Sequence, residues 1–235
     1  SADRVFFEEV AKFRAARRMW AELMRDRFGA RDDACRLRFH AQTAGSSLTA
    51  QQPLNNTVRV AVQALSAVLG GAQSLHTNGY DEALTLPGTE AARLALRTQQ
   101  ILASESGVAD TVDPLGGAYF VEALTEELEN LGYAYLEEIE NRGGATQAIE
   151  YMREEIHKSA YLHQRSIESG DLEVVGVNSY QDEEESMIPE APDFVGLARK
   201  QRERLEAVRA ARDEGAVTGA LDEIRRVASR DANLL

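Results

Sequence analysis

The chain has 235 residues, with 26 Lys and Arg against 39 Asp and Glu, giving a formal net charge of −13. Such an acidic surface argues against nucleic acid and anionic membranes as partners, because their phosphates demand a basic patch. It leaves room for a phosphorylated cofactor held by a few Arg and Lys in one cleft. No apolar run approaches the roughly 18–20 residues needed to cross a bilayer. The stretch Ser1–Glu9 has neither the charged nor the apolar region of a signal peptide. The single cysteine, Cys35, cannot close an internal disulfide, so a reducing cytoplasm is the expected setting.

In chain order, Phe6, Val10, Phe13, Ala16, Trp20 and Leu23 recur at helical spacing and predict a helix from Val5 to Arg27. Phe13 and Trp20 are expected in its core face, and Arg14, Arg17 and Arg18 in surface ion pairs. Arg36–Thr43 reads as a strand ended by Gly45-Ser46-Ser47. A helix follows Pro53–Asn56 with the apolar stripe Val58, Ala61, Val62, Leu65, Val68 and Leu69, stopped at Gly70-Gly71. Gln73–Asn78 is a second strand, and Pro87-Gly88-Thr89 opens a helix through Leu102. Gly107–Val112 is a third strand, and Asp113–Gly117 leads into a helix carrying Leu124, Leu128, Leu131 and Tyr135. This alternation predicts parallel βα units.

Further on, Ala145–Ile156 and His157–Ser169 look helical, and Val174–Val177 is a candidate fourth strand. An acidic run, Gln181–Ser186 beside Pro189 and Pro192, reads as a solvated linker. A charged helix over Phe194–Arg212 and an amphipathic stretch with Val217, Leu221, Ile224 and Val227 complete the chain. An eight-stranded barrel takes about 200 residues or more and eight strands. Three or four strands therefore fit either a small open α/β sheet or part of a barrel.

The strands end in polar residues that run into Gly-containing loops, where a βα barrel builds its active site. The densest chemistry is in Phe39-His40-Ala41-Gln42-Thr43-Ala44-Gly45-Ser46-Ser47-Leu48-Thr49-Ala50-Gln51-Gln52-Pro53 and Gly70-Gly71-Ala72-Gln73-Ser74-Leu75-His76-Thr77-Asn78-Gly79-Tyr80-Asp81-Glu82-Ala83-Leu84. Neither string follows a dinucleotide fingerprint, a P-loop or a nucleophile elbow. Clusters of His, Gln, Asn and Thr suit hydrogen bonding to a large polar ligand with amide groups. His157 and His163, six apart on helical stretches, make a poor metal pair, and no metal site is expected.

These two strings closely resemble the later barrel strands of the methylmalonyl-CoA mutase family. The resemblance extends through Phe6–Arg17 upstream and through Arg97-Thr98-Gln99, Glu105-Ser106-Gly107, Asp113–Gly117 and Val175-Gly176-Val177-Asn178 downstream. It implies an α/β fold: the last strands and helices of a partial (β/α)8 TIM barrel, followed by a helical C-terminal extension. Residues 1–143 would belong to the barrel, 144–180 to the helical extension, and 181–235 to an acidic linker and charged helices. The implied chemistry is a radical carbon-skeleton isomerisation of an acyl-CoA, with adenosylcobalamin lying across the C-terminal ends of the strands. Gln42, Gly45, Glu82 and Ala83 match positions that contact the corrin ring or its side chains. His40 and Gln73, with Asn78 close by, match residues facing the acyl-CoA.

Two positions depart from the family pattern: Ser46, where a larger or different residue is usual, and Gly79, where Ser often follows the matched Asn. The resemblance also implies that the family's active-site His, its Tyr near cobalt and its carboxylate-binding Arg precede this region. No Asp-x-His-x-x-Gly cobalt-ligating motif is present, since Ser74 stands where the Asp would be. No catalytic residue is therefore assigned, and the expected partners are an N-terminal barrel segment and a cobalamin-binding domain or subunit. Alternatives are an isobutyryl-CoA or 2-hydroxyisobutyryl-CoA mutase subunit and a non-catalytic scaffold for a partner chain. An unrelated barrel hydrolase or lyase using His40 and Glu82 as acid and base is a further alternative. The plainer readings make His40 and His76 structural histidines and put Glu82 in the first turn of a helix.

Overall fold

Helices dominate the chain, as the long 3.6-residue periodicities require. The computed structural model describes residues 1–182 and 193–229, in two compact units, Ser1–Glu190 and Ala191–Leu235. The first holds α1 (Phe6–Phe28), β1 (His40–Gln42), α2 (Asn55–Leu69), β2 (Ser74–His76), α3 (Thr89–Glu105), α4 (Tyr119–Asn141) and α5 (Ile149–Ser169). β1 and β2 are parallel, joined by α2, with His40 opposite Ser74, Ala41 opposite Leu75 and Gln42 opposite His76. Ala2 adds a parallel bridge at Thr43: its N–H donates to the Gln42 carbonyl at 2.8 Å. The expected α/β class holds, as a mostly helical chain around a small parallel sheet.

Strand alternation gives the sheet two unlike faces. Ala41 is buried in a cluster with Ala2, Phe13 and Ala67, against which Phe39, Ala72 and Leu75 pack. Phe13 stacks on Phe39 with centroids 5.1 Å apart. His40, Gln42, Ser74 and His76 occupy the opposite face and are exposed. α1 ends where Gly29 turns left-handed (φ 58°) and its N–H reaches the Arg25 carbonyl, a conformation that glycine adopts without a Cβ penalty.

α4 lies along α1, and charge lines their seam. Arg14 donates to both Asp113 oxygens at 2.6 Å and to Glu122 at 2.5 Å, while Arg18 reaches Glu129 at 2.9 Å. The Tyr133 hydroxyl donates to Glu22 at 2.7 Å, and burial followed by that carboxylate pushes the phenol up to about 12. These pairs bear out the ion-pair reading of Arg14 and Arg18. Arg17 instead lies over Gly71, and no ion pair of it is found among the described residues. The Arg14 side chain is 10% exposed and its two partners 42% and 36%. Arg14→Leu is therefore expected to destabilise the seam by about 1–3 kcal/mol, towards the lower end because water can reach the abandoned carboxylates. Thermal denaturation of the protein checks this.

Several expected elements take another form. Gly107–Val112 is not a strand: Gly107 is left-handed (φ 72°), Val108–Asp110 forms a 3-10 turn, and Val112 is 95% exposed. Val174–Val177 is a tight turn, because Gly176 is left-handed (φ 81°) and the Asn178 side chain accepts from Val174 N–H at 2.7 Å. The two remaining strands shrink to three residues each. The two helical stretches expected over 145–169 form the single helix α5 from Ile149. Trp20 is not core; it is 39% exposed, and its indole N–H donates to the Ala34 carbonyl at 3.0 Å.

The second unit contains α6 (Phe194–Ala210) and α7 (Glu214–Ala228). Asp193 and Asp213 cap them by accepting from Gly196 N–H at 2.8 Å and Ala216 N–H at 3.0 Å, satisfying donors that a helix start leaves free. Most of the acidic linker, from Glu183 to Pro192, lies outside the described residues.

Candidate functional site

The polar face of the sheet and the loops leaving it build the candidate site. Gln42 is the last residue of β1, and its Nε2 donates to Asn78 Oδ1 at 2.9 Å. Asn78 follows β2 by two residues; its Nδ2 donates to the Thr43 carbonyl at 2.9 Å and its N–H to Thr43 Oγ1 at 3.0 Å. The Thr43 carbonyl can only accept, so it fixes which end of the Asn78 amide faces Gln42. That in turn directs Gln42 to present its Oε1 away from Asn78. Gly45 starts the loop after β1, and a Cβ built on it would lie 3.3 Å from Asn78 Nδ2 and 3.3 Å from Glu82 Cγ. Gln42, Gly45, Asn78 and Glu82 therefore form one contiguous patch, where the missing Cβ of Gly45 lets its loop close against Asn78 and Glu82.

The remaining sequence-identified residues are less closely grouped. Ala83 is exposed beside Glu82 in the same turn. His40 lies one pleat before Gln42 on the same face, about 6.6 Å along the strand, with Nδ1 2.8 Å from Ser74 Oγ. Gln73 stands at the opposite end of β2. Its Oε1 accepts from Phe39 N–H at 2.7 Å and its Nε2 donates to the Gly71 carbonyl at 2.8 Å, so its amide braces backbone. Asn78 is buried and its amide is engaged at both ends, so it braces Gln42 from beneath. No group of three or more His, Cys, Asp or Glu that could hold a metal occurs among the described residues.

Three supporting residues escaped the motif reading. Asn56, fully buried at the start of α2, bonds to Thr49 and to Tyr80. Gln63, two turns on, donates to Ser47 Oγ at 2.7 Å. Asp81 is buried, and its Oδ2 accepts from Gly88 N–H at 2.8 Å, closing the loop that carries Glu82 and Ala83. The available signal was polarity at buried helix spacing: Asn56, Val60, Gln63 and Ala67 share one face of α2. Above the loop after β1, a cavity of about 1040 Å³ opens between Ser46–Gln51 and the Met152, Ile156 and His163 side of α5.

A family model described as methylmalonyl-CoA mutase matches residues 1–235, the whole chain. The chain belongs to the methylmalonyl-CoA mutase family. It is 51% identical over 234 residues to the 2-hydroxyisobutanoyl-CoA mutase large subunit of Aquincola tertiaricarbonis, covering 98% of this chain and 42% of that protein. It is 46% identical to the methylmalonyl-CoA mutase of Cereibacter sphaeroides, over 98% of this chain and 33% of the relative. The methylmalonyl-CoA mutase of Escherichia coli is 43% identical, over 97% and 32% respectively. The chain thus spans about a third to two-fifths of the length of these curated relatives. Within the methylmalonyl-CoA mutase family the resemblance first seen in the two polar strings runs through the whole chain.

Proposed function

We propose that the chain forms part of an adenosylcobalamin-dependent acyl-CoA mutase and supplies one wall of its cofactor site. The observation that supports this best is the juxtaposition of Gln42, Gly45, Asn78 and Glu82 where two parallel strands end. The patch suits a broad, flat, amide-rich cofactor. Gln42 offers an acceptor without charge, Glu82 can accept from a hydroxyl or amide, and the bare Gly45 lets the two loops pack closely enough to border one ligand together. Adenosylcobalamin, when bound, supplies the radical chemistry, and the protein orients the ligands and excludes water. His40 would face the acyl-CoA side, with Gln73 and Asn78 holding the backbone and the Gln42 amide that border it.

In this reading residues 1–143 are the last strands and helices of a TIM barrel, 144–180 its helical extension and 181–235 a linker with charged helices. A segment with the earlier strands and a cobalamin-binding domain or subunit complete the enzyme in the cytoplasm. No helix among the described residues is long and apolar enough to cross a membrane, and the charge of −13 disfavours nucleic acid. The substrate is an acyl-CoA of the methylmalonyl-CoA to succinyl-CoA type. A second reading, 2-hydroxyisobutanoyl-CoA, is favoured by 51% identity to the large subunit of that mutase against 46% to a methylmalonyl-CoA mutase.

Gln42→Ala and Glu82→Ala should each weaken cobalamin binding by the assembled enzyme. One hydrogen bond contributes about 0.5–1.5 kcal/mol, which corresponds to roughly two- to tenfold in affinity. Cobalamin titrations unchanged in both variants would sink the assignment. Turnover of the two acyl-CoA substrates by the same enzyme separates the two substrate readings.

A further inference from the structure

Asn56 sits in the first turn of α2, directly beneath both loops of the candidate site, and is fully buried. Its Oδ1 accepts from Thr49 N–H at 3.1 Å and from Arg59 Nη1 at 2.7 Å. Its Nδ2 donates to the Thr49 carbonyl at 2.8 Å and to the Tyr80 carbonyl at 2.9 Å. An amide side chain has two acceptor sites and two donors, so every one is in use. No capacity remains for a ligand, and its role lies in what it joins. Thr49 belongs to the loop that begins at Gly45, and Tyr80 precedes Glu82 by two residues in the other loop.

Arg59, one turn later, ties in further structure. It donates to Thr49 Oγ1 at 2.9 Å and to the Val175 carbonyl of the 174–179 turn at 2.7 Å. Burial, and after it the charge of Arg4, lowers the Arg59 pKa from its ordinary value. At the strand ends the two segments are joined by the Asn78–Thr43 and Gln42–Asn78 bonds; beyond them the loops meet side-on, where a Cβ on Gly45 would face Glu82. That side-on contact has no directional bond, whereas farther along the loops the Asn56 amide joins the Thr49 and Tyr80 backbones with directional bonds.

We infer that Asn56 is a positioning residue that sets the distance between the Gly45 loop and the Glu82 loop, and through it the fit of the cofactor wall. The inference rests on the proposed cofactor reading and assigns a role to a residue that cannot itself touch the cofactor. Asn56→Asp keeps the shape and the acceptor but turns an oxygen towards the Thr49 and Tyr80 carbonyls, forcing the loops apart.

The experiment is cobalamin titration of the assembled enzyme carrying Asn56→Asp, Glu82→Ala or both. Asn56→Asp is expected to weaken binding about tenfold, the scale of one or two lost bonds. In the Glu82→Ala background the same change should add less than about twofold, since residues acting through one another are not additive. If Asn56→Asp does not assemble, Arg59→Met is used instead. It keeps both Nδ2 bonds while freeing Thr49 Oγ1, and should weaken binding about two- to threefold with the same non-additivity. A merely structural role would lower thermal stability and leave affinity at saturating assembly unchanged, or would add in full to Glu82→Ala. Either result overturns the inference while the cofactor reading survives. Glu82→Ala and Gln42→Ala without effect would overturn the cofactor reading, and this inference with it.

Discussion

Expressed alone, the chain is expected to isomerise no acyl-CoA and to unfold without a sharp cooperative transition. β1 and β2 form a two-stranded sheet, and β2 has no strand neighbour but β1 among the described residues. A sheet that small is marginal in water unless helices or further strands complete it. Helices cover one of its faces, while His40, Gln42, Ser74 and His76 leave the other exposed. Leu54, the N-cap of α2, and Val58 and Val62 within it form an exposed ladder, and α5 has no buried residue in its 21. Net domain stability is only about 5–15 kcal/mol, and each buried unpaired backbone group removes about 1–3 kcal/mol of it.

The proposed chemistry points the same way, because the site holds residues proposed to face the cofactor and no assigned catalytic group. Adding the segment that carries the earlier strands should restore a cooperative transition in calorimetry. Adding the cobalamin-binding partner as well should restore turnover. Activity of the chain alone would show those parts to be dispensable, and the proposed division of labour would have to be abandoned.

Much of the helical framework was legible because long amphipathic periods survive any tertiary context. The first helix was expected over Val5–Arg27 and lies at Phe6–Phe28. The face of α2 was not legible. Counting apolar residues selects Val58, Val62, Leu65 and Leu69, yet Val58 is 67% exposed and the buried side is Asn56, Val60, Gln63, Ala64 and Ala67. Two amides can lie on a buried face because the loop after β1 bonds to both, through Thr49 to Asn56 and through Ser47 to the Gln63 Nε2, and no period reveals such a partner. Asn56 was hidden for a related reason: an Asn at a helix start reads as a cap, whereas here Leu54 is the N-cap residue. Gly107–Val112 looked like a strand through its valines, but a strand needs a neighbour and a left-handed Gly107 turns the chain away. The site patch became readable through family resemblance, since Gln42 and Glu82 are 40 positions apart and no local rule pairs them.

Gly70→Ala should be among the most damaging single-methyl additions in this chain. Gly70 caps α2 with an ordinary φ of −75°, so backbone strain has no part in the effect. The space is what matters. A Cβ there would lie 2.7 Å from Phe13 Cδ2, 2.9 Å from Phe13 Cβ and 3.0 Å from the Ser66 carbonyl oxygen. Carbon pairs prefer about 3.5–4.0 Å, so Phe13 must move. Its ring is stacked on Phe39 and its Cβ is fixed to α1, and the strain therefore passes into the α1–α2 packing around Ala67. Overpacking of this kind costs about 1–3 kcal/mol. Phe13→Leu in the same protein should rescue only part of the loss, because the leucine δ-carbons, no longer held in a ring, can turn from the added methyl while the Cβ contact stays. Gly219→Ala supplies the opposite case: Gly219 lies within α7 with no heavy atom within 4 Å of the added methyl. There alanine's helix propensity should stabilise by up to about 1 kcal/mol. Thermal inactivation of the assembled enzyme, measured for all three variants and the double variant, checks both signs. A Gly70→Ala enzyme as stable as the parent would mean that α1 and α2 pack more loosely than these contacts require.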